Sequence, residues 1–225
     1  MKLLLLVLTI SSGLFAATIH IHSTGVDAGH TPLTLPNVGP NLAEIHFSLI
    51  TGPGVGGAGA NTLLTRWQAP YVSEVGVNAR WISPARVVGA ATTFPTTTGI
   101  YTLVQTFSMM GLDLSTAILG GRFAADNCAE IRLNGILLAT TNGVNACGTS
   151  PHPTSNFTGW TTFNAPVTAF LANINTLQVR LLNDSSPTGV IVEFQRHTAD
   201  EVPEPAVSAL IGIGLAAIAL RRKLA

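Results

Sequence analysis

What most constrains this chain is a series of short apolar–polar alternations, each broken within a few residues by Gly, Pro or Asn. Ile131 and Leu133 alternate with Glu130 and Arg132, and Leu177, Val179 and Leu181 with Gln178 and Arg180. Val190, Val192 and Phe194 alternate with Ile191 and Glu193, and Ile45, Phe47 and Leu49 with Glu44, His46 and Ser48. A period of two places one set of side chains on one face of a strand. Asn134-Gly135 has the sequence of a two-residue hairpin turn. Further strand-like stretches fall near 18–22, 63–68, 79–82, 100–107, 117–124 and 160–163, and Gly52 to Gly59 reads as a flexible loop. Short strands without a long amphipathic helix predict one all-β sandwich.

Both ends depart from this pattern. Met1-Lys2 is followed by an apolar run from Leu3 to Ile10 and then by Ser11-Ser12-Gly13-Leu14-Phe15-Ala16-Ala17. A basic start, an apolar stretch and a small-residue exit predict a secretory signal peptide over 1–17, cut after Ala16 or Ala17. At the other end Val202-Pro203-Glu204-Pro205 precedes an uncharged run from Ala206 to Leu220 and then Arg221-Arg222-Lys223. Fifteen helical residues span about 22 Å, and a start at Val202 gives about 28 Å, near the hydrocarbon thickness of a bilayer. The basic cluster belongs on the cytoplasmic side, so the rest of the chain lies outside, in agreement with a signal peptide.

The order of motif, apolar helix and basic tail resembles the PEP-CTERM sorting signal. In that family the Pro-Glu-Pro motif is recognised at the membrane by an exosortase, so the resemblance implies an exosortase partner and processing near Val202, Pro203, Glu204 and Pro205. Physical reasoning agrees with accessibility: the two prolines keep the motif extended and out of the helix. Arg221, Arg222 and Lys223 argue against a GPI signal, which ends in its hydrophobic tail.

Between the ends, residues 18–200 carry seven Arg, no Lys and nine Asp or Glu. So sparse and slightly acidic a surface excludes a nucleic-acid binder, which needs a cationic face. Thr106-Phe107, Leu112-Asp113-Leu114-Ser115, Leu119 through Asn127, Ile131 through Gly135, Asn175 through Val179 and Pro187-Thr188-Gly189-Val190 resemble galactose-binding-like jelly-roll domains. Ser23 through Asp27 and Ala79 through Pro84 extend the likeness, which implies a jelly-roll β-sandwich. Cys128 and Cys147 are the only cysteines, and in an exported chain two cysteines are expected to form a disulfide.

Candidate chemistry is thin. His20 and His22 would share a strand face, the spacing for two metal-bound imidazoles, but no third ligand is evident and the histidines at 30, 46, 152 and 197 look scattered. No phosphate loop or Gly-x-Ser-x-Gly elbow is present, and Asp113, Asp126 and Glu130 form no recognisable catalytic pair. Trp67, Trp81 and Trp160 offer flat faces for sugar stacking, with Trp67 and Trp81 expected in the core and Trp160 nearer the surface. Asp126, Asn127 and Asn145 would orient a glycan; Asp126 and Asn127 would equally close a turn or hold a structural calcium. The sequence thus predicts a signal peptide (1–17), an exported, non-catalytic β-sandwich (18–200) and a sorting signal (201–225) with motif 202–205, transmembrane helix 206–220 and basic tail 221–223. It would be held at the inner membrane of a Gram-negative bacterium and then pass to the cell surface or matrix, where exopolysaccharide is the expected partner. The alternatives are a carbohydrate-binding module with a defined glycan ligand and, third, a periplasmic hydrolase.

Overall fold

The structure, a computed structural model, describes residues 16–34, 43–53, 60–64, 71–88, 91–93, 97–141, 147, 156–184 and 188–202. Residues 1–15 of the predicted signal peptide (1–17) and residues 203–225 lie outside them, as do Trp67, Asn145 and His152, while Ala16 and Ala17 are described. Twelve strands are present among the described residues: β1 (Ala16–Thr18), β2 (Ser48–Thr51), β3 (Ala60–Leu64), β4 (Ile82–Val88), β5 (Ala91–Thr93), β6 (Gly99–Ser108), β7 (Ile118–Asp126), β8 (Cys128–Leu133), β9 (Ile136–Thr140), β10 (Thr161–Asn164), β11 (Ile174–Asn183) and β12 (Gly189–Asp200). Short 3-10 turns at Leu114–Thr116 and Val167–Ala169 are the helical elements found there.

All pairings are antiparallel and form two sheets. One has the order β10-β7-β12-β4-β3, with β1 on β12 and β5 on β4; the other runs β2-β6-β11-β8-β9. The alternation read in the sequence produces this layering. Tyr101, Leu103 and Phe107 of β6 and Leu177, Val179 and Leu181 of β11 face inward, against Phe123, Val190, Val192 and Phe194 of β7 and β12. Asn134 (φ 51°) and Gly135 (φ 84°) both take left-handed backbone in the β8–β9 hairpin, as a tight mirror-image turn requires.

Two stretches depart from the simple alternation. Ile191 and Glu193 of β12 are buried although they face away from the main core. The segment 71–81 crosses that outer face, and Ile191 and Ala124 join Val72, Val77, Ala79 and Trp81 in a second apolar cluster. The expected strand over 44–49 begins only at Ser48, with Ile45 exposed and Glu44 buried. Glu44 turns inward because its carboxylate accepts hydrogen bonds from the backbone N–H groups of Gly25 (2.5 Å), His46 (2.7 Å) and Phe47 (3.2 Å).

The expected strand at 18–22 likewise stops at Thr18. Beyond it, residues 19–24 run along the seam between the sheets. Ile19 N–H donates to His197 O, and Thr24 N–H to Val192 O, on the first sheet. His22 exchanges two backbone bonds with the Gln105 amide on the second (2.6 and 3.0 Å). Ile19 and Ile21 drop into the core between these ties.

Gly121 marks the tightest point of the first sheet, where a Cβ would lie 2.1 Å from the Glu193 carbonyl oxygen. Backbone cannot yield as a flexible side chain can. Gly121→Ala should therefore cost about 3 kcal/mol, at the upper end of overpacking, read as a lowered urea midpoint. Gly159→Ala, whose new methyl meets nothing within 4 Å, should leave the midpoint nearly unchanged.

Candidate functional site

The two ends of the sandwich differ in chemistry. At one end β7 leaves the first sheet and β8 enters the second through Asp126 and Asn127, joined by a cis peptide. Both residues are buried, and internal partners occupy their polar atoms. Asp126 Oδ2 accepts from the Tyr71 hydroxyl (2.9 Å), Oδ1 from the Asn127 amide (2.8 Å), and its carbonyl from Thr188 Oγ1 (2.7 Å). Asn127 Oδ1 accepts from Asp184 N–H (2.8 Å), and its carbonyl from the Asn156 amide (2.8 Å). Burial pushes the Asp126 carboxyl above its ordinary range, opposed by the Tyr71 bond. Burial, that same bond and the Asp126 charge push Tyr71 up to about 12. This is the chemistry of a turn that locks two sheets together, with both oxygens of the buried Asp126 carboxylate engaged in it.

Aromatic rings line the surface beside this turn. Tyr71 packs on Phe157 with centroids 4.4 Å apart and edge-on to the buried Trp81 at 5.6 Å. Trp160 is half-buried against the same cluster. The Arg122 guanidinium lies 4.4 Å from the Trp160 ring centroid, a cation–π contact that covers one indole face. Arg122 is itself fixed by Glu193 (2.7 Å), whose other oxygen accepts from Asn78 N–H. The structure thus gathers Trp160, Asp126 and Asn127 at one end and adds Tyr71 and Phe157. Only Trp160, of the three, retains a partly open side chain.

The same end carries the disulfide between Cys128 and Cys147, closing a separation of 19 residues. Beside it Glu130 is fully buried. It accepts from Cys147 N–H (2.8 Å) and from the side chains of Arg132 and Arg180 (both 2.8 Å), so the disulfide loop is tied to the outer face of the second sheet. Burial of a carboxylate is tolerable here because charge and hydrogen bonding are both supplied.

The histidines correct the sequence reading. Far from being scattered, His22, His30 and His46 form a stack, with centroids 4.2 Å (His22–His30) and 3.8 Å (His22–His46) apart. His197 adjoins it at 5.9 Å from His30. No local signal could reveal this, because the rings come from the seam segment, two loops and β12. Burial, then the neighbouring histidines, lower His22 to about 4, and burial and His30 and His20 also lower His197. Stacked imidazoles turn their faces, not their ring nitrogens, toward one another. Among the described residues no three His, Cys, Asp or Glu side chains converge on a metal position.

At the opposite end, the chain leaves β12. Asp113 N–H donates to Asp200 O (2.7 Å), Glu201 bridges Leu112, and Val202 N–H donates to Gly111 O (2.8 Å). Val202 is the last described residue, so Pro203, Glu204, Pro205 and the expected helix and basic tail (Arg221, Arg222, Lys223) fall outside.

Comparison with known proteins assigns this terminus. Residues 201–223 match the PEP-CTERM protein-sorting motif, a motif that implies export and processing by exosortase. No curated protein matches the chain. Among solved structures, the chain is similar to a family 35 carbohydrate-binding module from an environmental isolate, at 13% identity and a TM-score of 0.31. That alignment covers 72% of this chain and 100% of the module.

The histidine stack makes stability depend on pH. Between the ordinary pKa of 6.5 and about 4, the unfolded chain binds a proton at His22 that the folded chain does not. Stability should therefore fall as pH drops through this window and level off below it. The raised carboxyls of Glu44 and Asp126 act in the opposite sense, so the diagnostic is a difference. His22→Gln should flatten the decline of the thermal midpoint between pH 6.5 and pH 4 relative to the parent.

Proposed function

We propose that this chain is a surface or extracellular-matrix protein of a Gram-negative bacterium, with a non-catalytic jelly-roll, galactose-binding-like domain in a structural or adhesive role. A signal peptide over 1–17 would start export. The helix 206–220 would then hold the chain in the inner membrane, and exosortase would act at Val202–Pro205. The observation that carries this reading is the PEP-CTERM match at 201–223, which follows directly on β12. The disulfide fits an oxidising compartment. The Asp126–Asn127 network is engaged internally, which favours a scaffold over a reaction centre.

Fractionation with C-terminal mass determination tests the sorting. The parent should lose its C-terminal residues and leave the membrane fraction, Glu204→Ala should stay there at full length, and a chain ending at Val202 should be released. That endpoint keeps the Gly111 and Leu112 contacts, which a stop at Asp200 would remove. Retention of Ala225 by the exported parent would defeat the proposal.

A second reading, a module for a defined glycan, draws on the aromatic surface of Tyr71, Phe157 and Trp160. Asn145 would add a polar contact from the loop before Cys147. On a glycan array this reading expects a ligand whose signal falls about tenfold or more with Trp160→Ala, as loss of one stacking ring implies. Absence of any signal would leave the structural role.

A further inference from the structure

Most of the large exposed apolar side chains among the described residues lie at the end of the sandwich from which the sorting signal emerges. Met110, at the tip of the turn between β6 and Leu114, is 70% exposed. Val167, Leu171 and Ile174 line the connection from β10 to β11, Ile136 opens β9 after the hairpin, and Val202 ends the described chain; all five are exposed. Pairing places them together. Ser108 faces Ile174 in register, and Met109 N–H donates to Asn173 O (2.9 Å). The hairpin residue Asn134 bonds Ala169 O and Asn175 Oδ1 (both 2.8 Å), and Val202 N–H bonds Gly111 O. Large apolar groups concentrated on one surface mark an interaction site, whereas scattered ones need no explanation.

We propose that this end of the domain rests on the lipid bilayer while the C-terminal segment is still attached. This rests on the sorting reading, and chain length makes it specific. From Val202, fixed to Gly111, only Pro203, Glu204 and Pro205 intervene before the uncharged run begins at Ala206. Four residue steps reach at most about 14 Å, and the proline pair keeps them extended. The headgroup layer on each side of the hydrocarbon is about 5–8 Å thick. A domain tethered this closely must bring the face around Val202 to the interface, where Met110, Leu171 and Ile174 can enter the headgroup–acyl boundary. Charge agrees with apolar rather than electrostatic docking. Among the described residues the charged groups near this end are Asp113, Asp200, Glu201, Arg132 and Arg196; Arg132 is paired to Glu130 and Arg196 donates to the Asn164 side chain. While seated there, the domain would hold Glu204 at a constant height above the membrane, within reach of a membrane-embedded processing enzyme.

The test uses the exported chain, purified with its C-terminal segment intact and reconstituted in phosphatidylcholine vesicles with or without brominated acyl chains. Met110→Trp and, as an independent reporter, Leu171→Trp should each lose about half of the added fluorescence to the bromines, the depth expected for an interfacial side chain. Val75→Trp, at a 90% exposed site on the 71–81 segment, should lose none. If the chain floats with the vesicles but neither reporter is quenched, the docking proposal is overturned and the anchor stands. Equal quenching at Val75→Trp, or quenching that grows with anionic lipid, would overturn an apolar, end-on seat. A chain that does not float overturns both the anchor and the docking.

Discussion

Burial of β12 on both faces is the constraint on which the rest of this structure depends. The strand pairs with β7 along most of its length and also carries β1 and β4. Its inner residues, Val190, Val192 and Phe194, complete the core between the sheets, and its outer residue Ile191 is covered by Trp81 and its neighbours. The seam segment 19–24 is held against β12 through Ile19, Ser23 and Thr24, and against the second sheet through His22. Because β12 is the last strand among the described residues, its pairings with β7, β1 and β4 close only after the rest of the sandwich is present. The residues that follow it at once, from Glu201 onward, are those that match the sorting motif.

Two ends with different chemistry follow from that arrangement. Strands β7 and β12 run antiparallel, so the end that holds Asp126 and Gly189 lies farthest from the end that holds Ile118 and Thr198. The first end has the disulfide, the Tyr71–Asp126 bond and the aromatic surface with Trp160. The second has the apolar tips and the exit toward Pro203.

The short alternations were legible because a strand's period is a local property. The stretches 100–107, 117–124 and 177–181 correspond closely to β6, β7 and β11, and Asn134-Gly135 forms the turn its composition demands. Errors arose where a side chain answered to a distant partner. Glu44 turned inward for Gly25 N–H, and residues 19–22 left strand geometry to bond both sheets. The histidine stack joins residues up to 175 positions apart, from His22 to His197, through contacts that no periodicity encodes.

The sequence by itself determined the all-β class, the two cysteines available to pair, and a sorting signal whose order of motif, apolar run and basic tail is linear information. Such a signal is read by its enzyme along the chain, so it needs no fold to be recognised. Tertiary structure alone decided that Asp126 and Asn127 spend their polar atoms inside the protein, that Arg122 covers a face of Trp160, and that the exposed apolar residues meet where the chain exits. These are matters of proximity between distant residues. They depend on which strands lie side by side, and β6 with β11, β7 with β12 and β8 with β11 pair across long stretches of sequence.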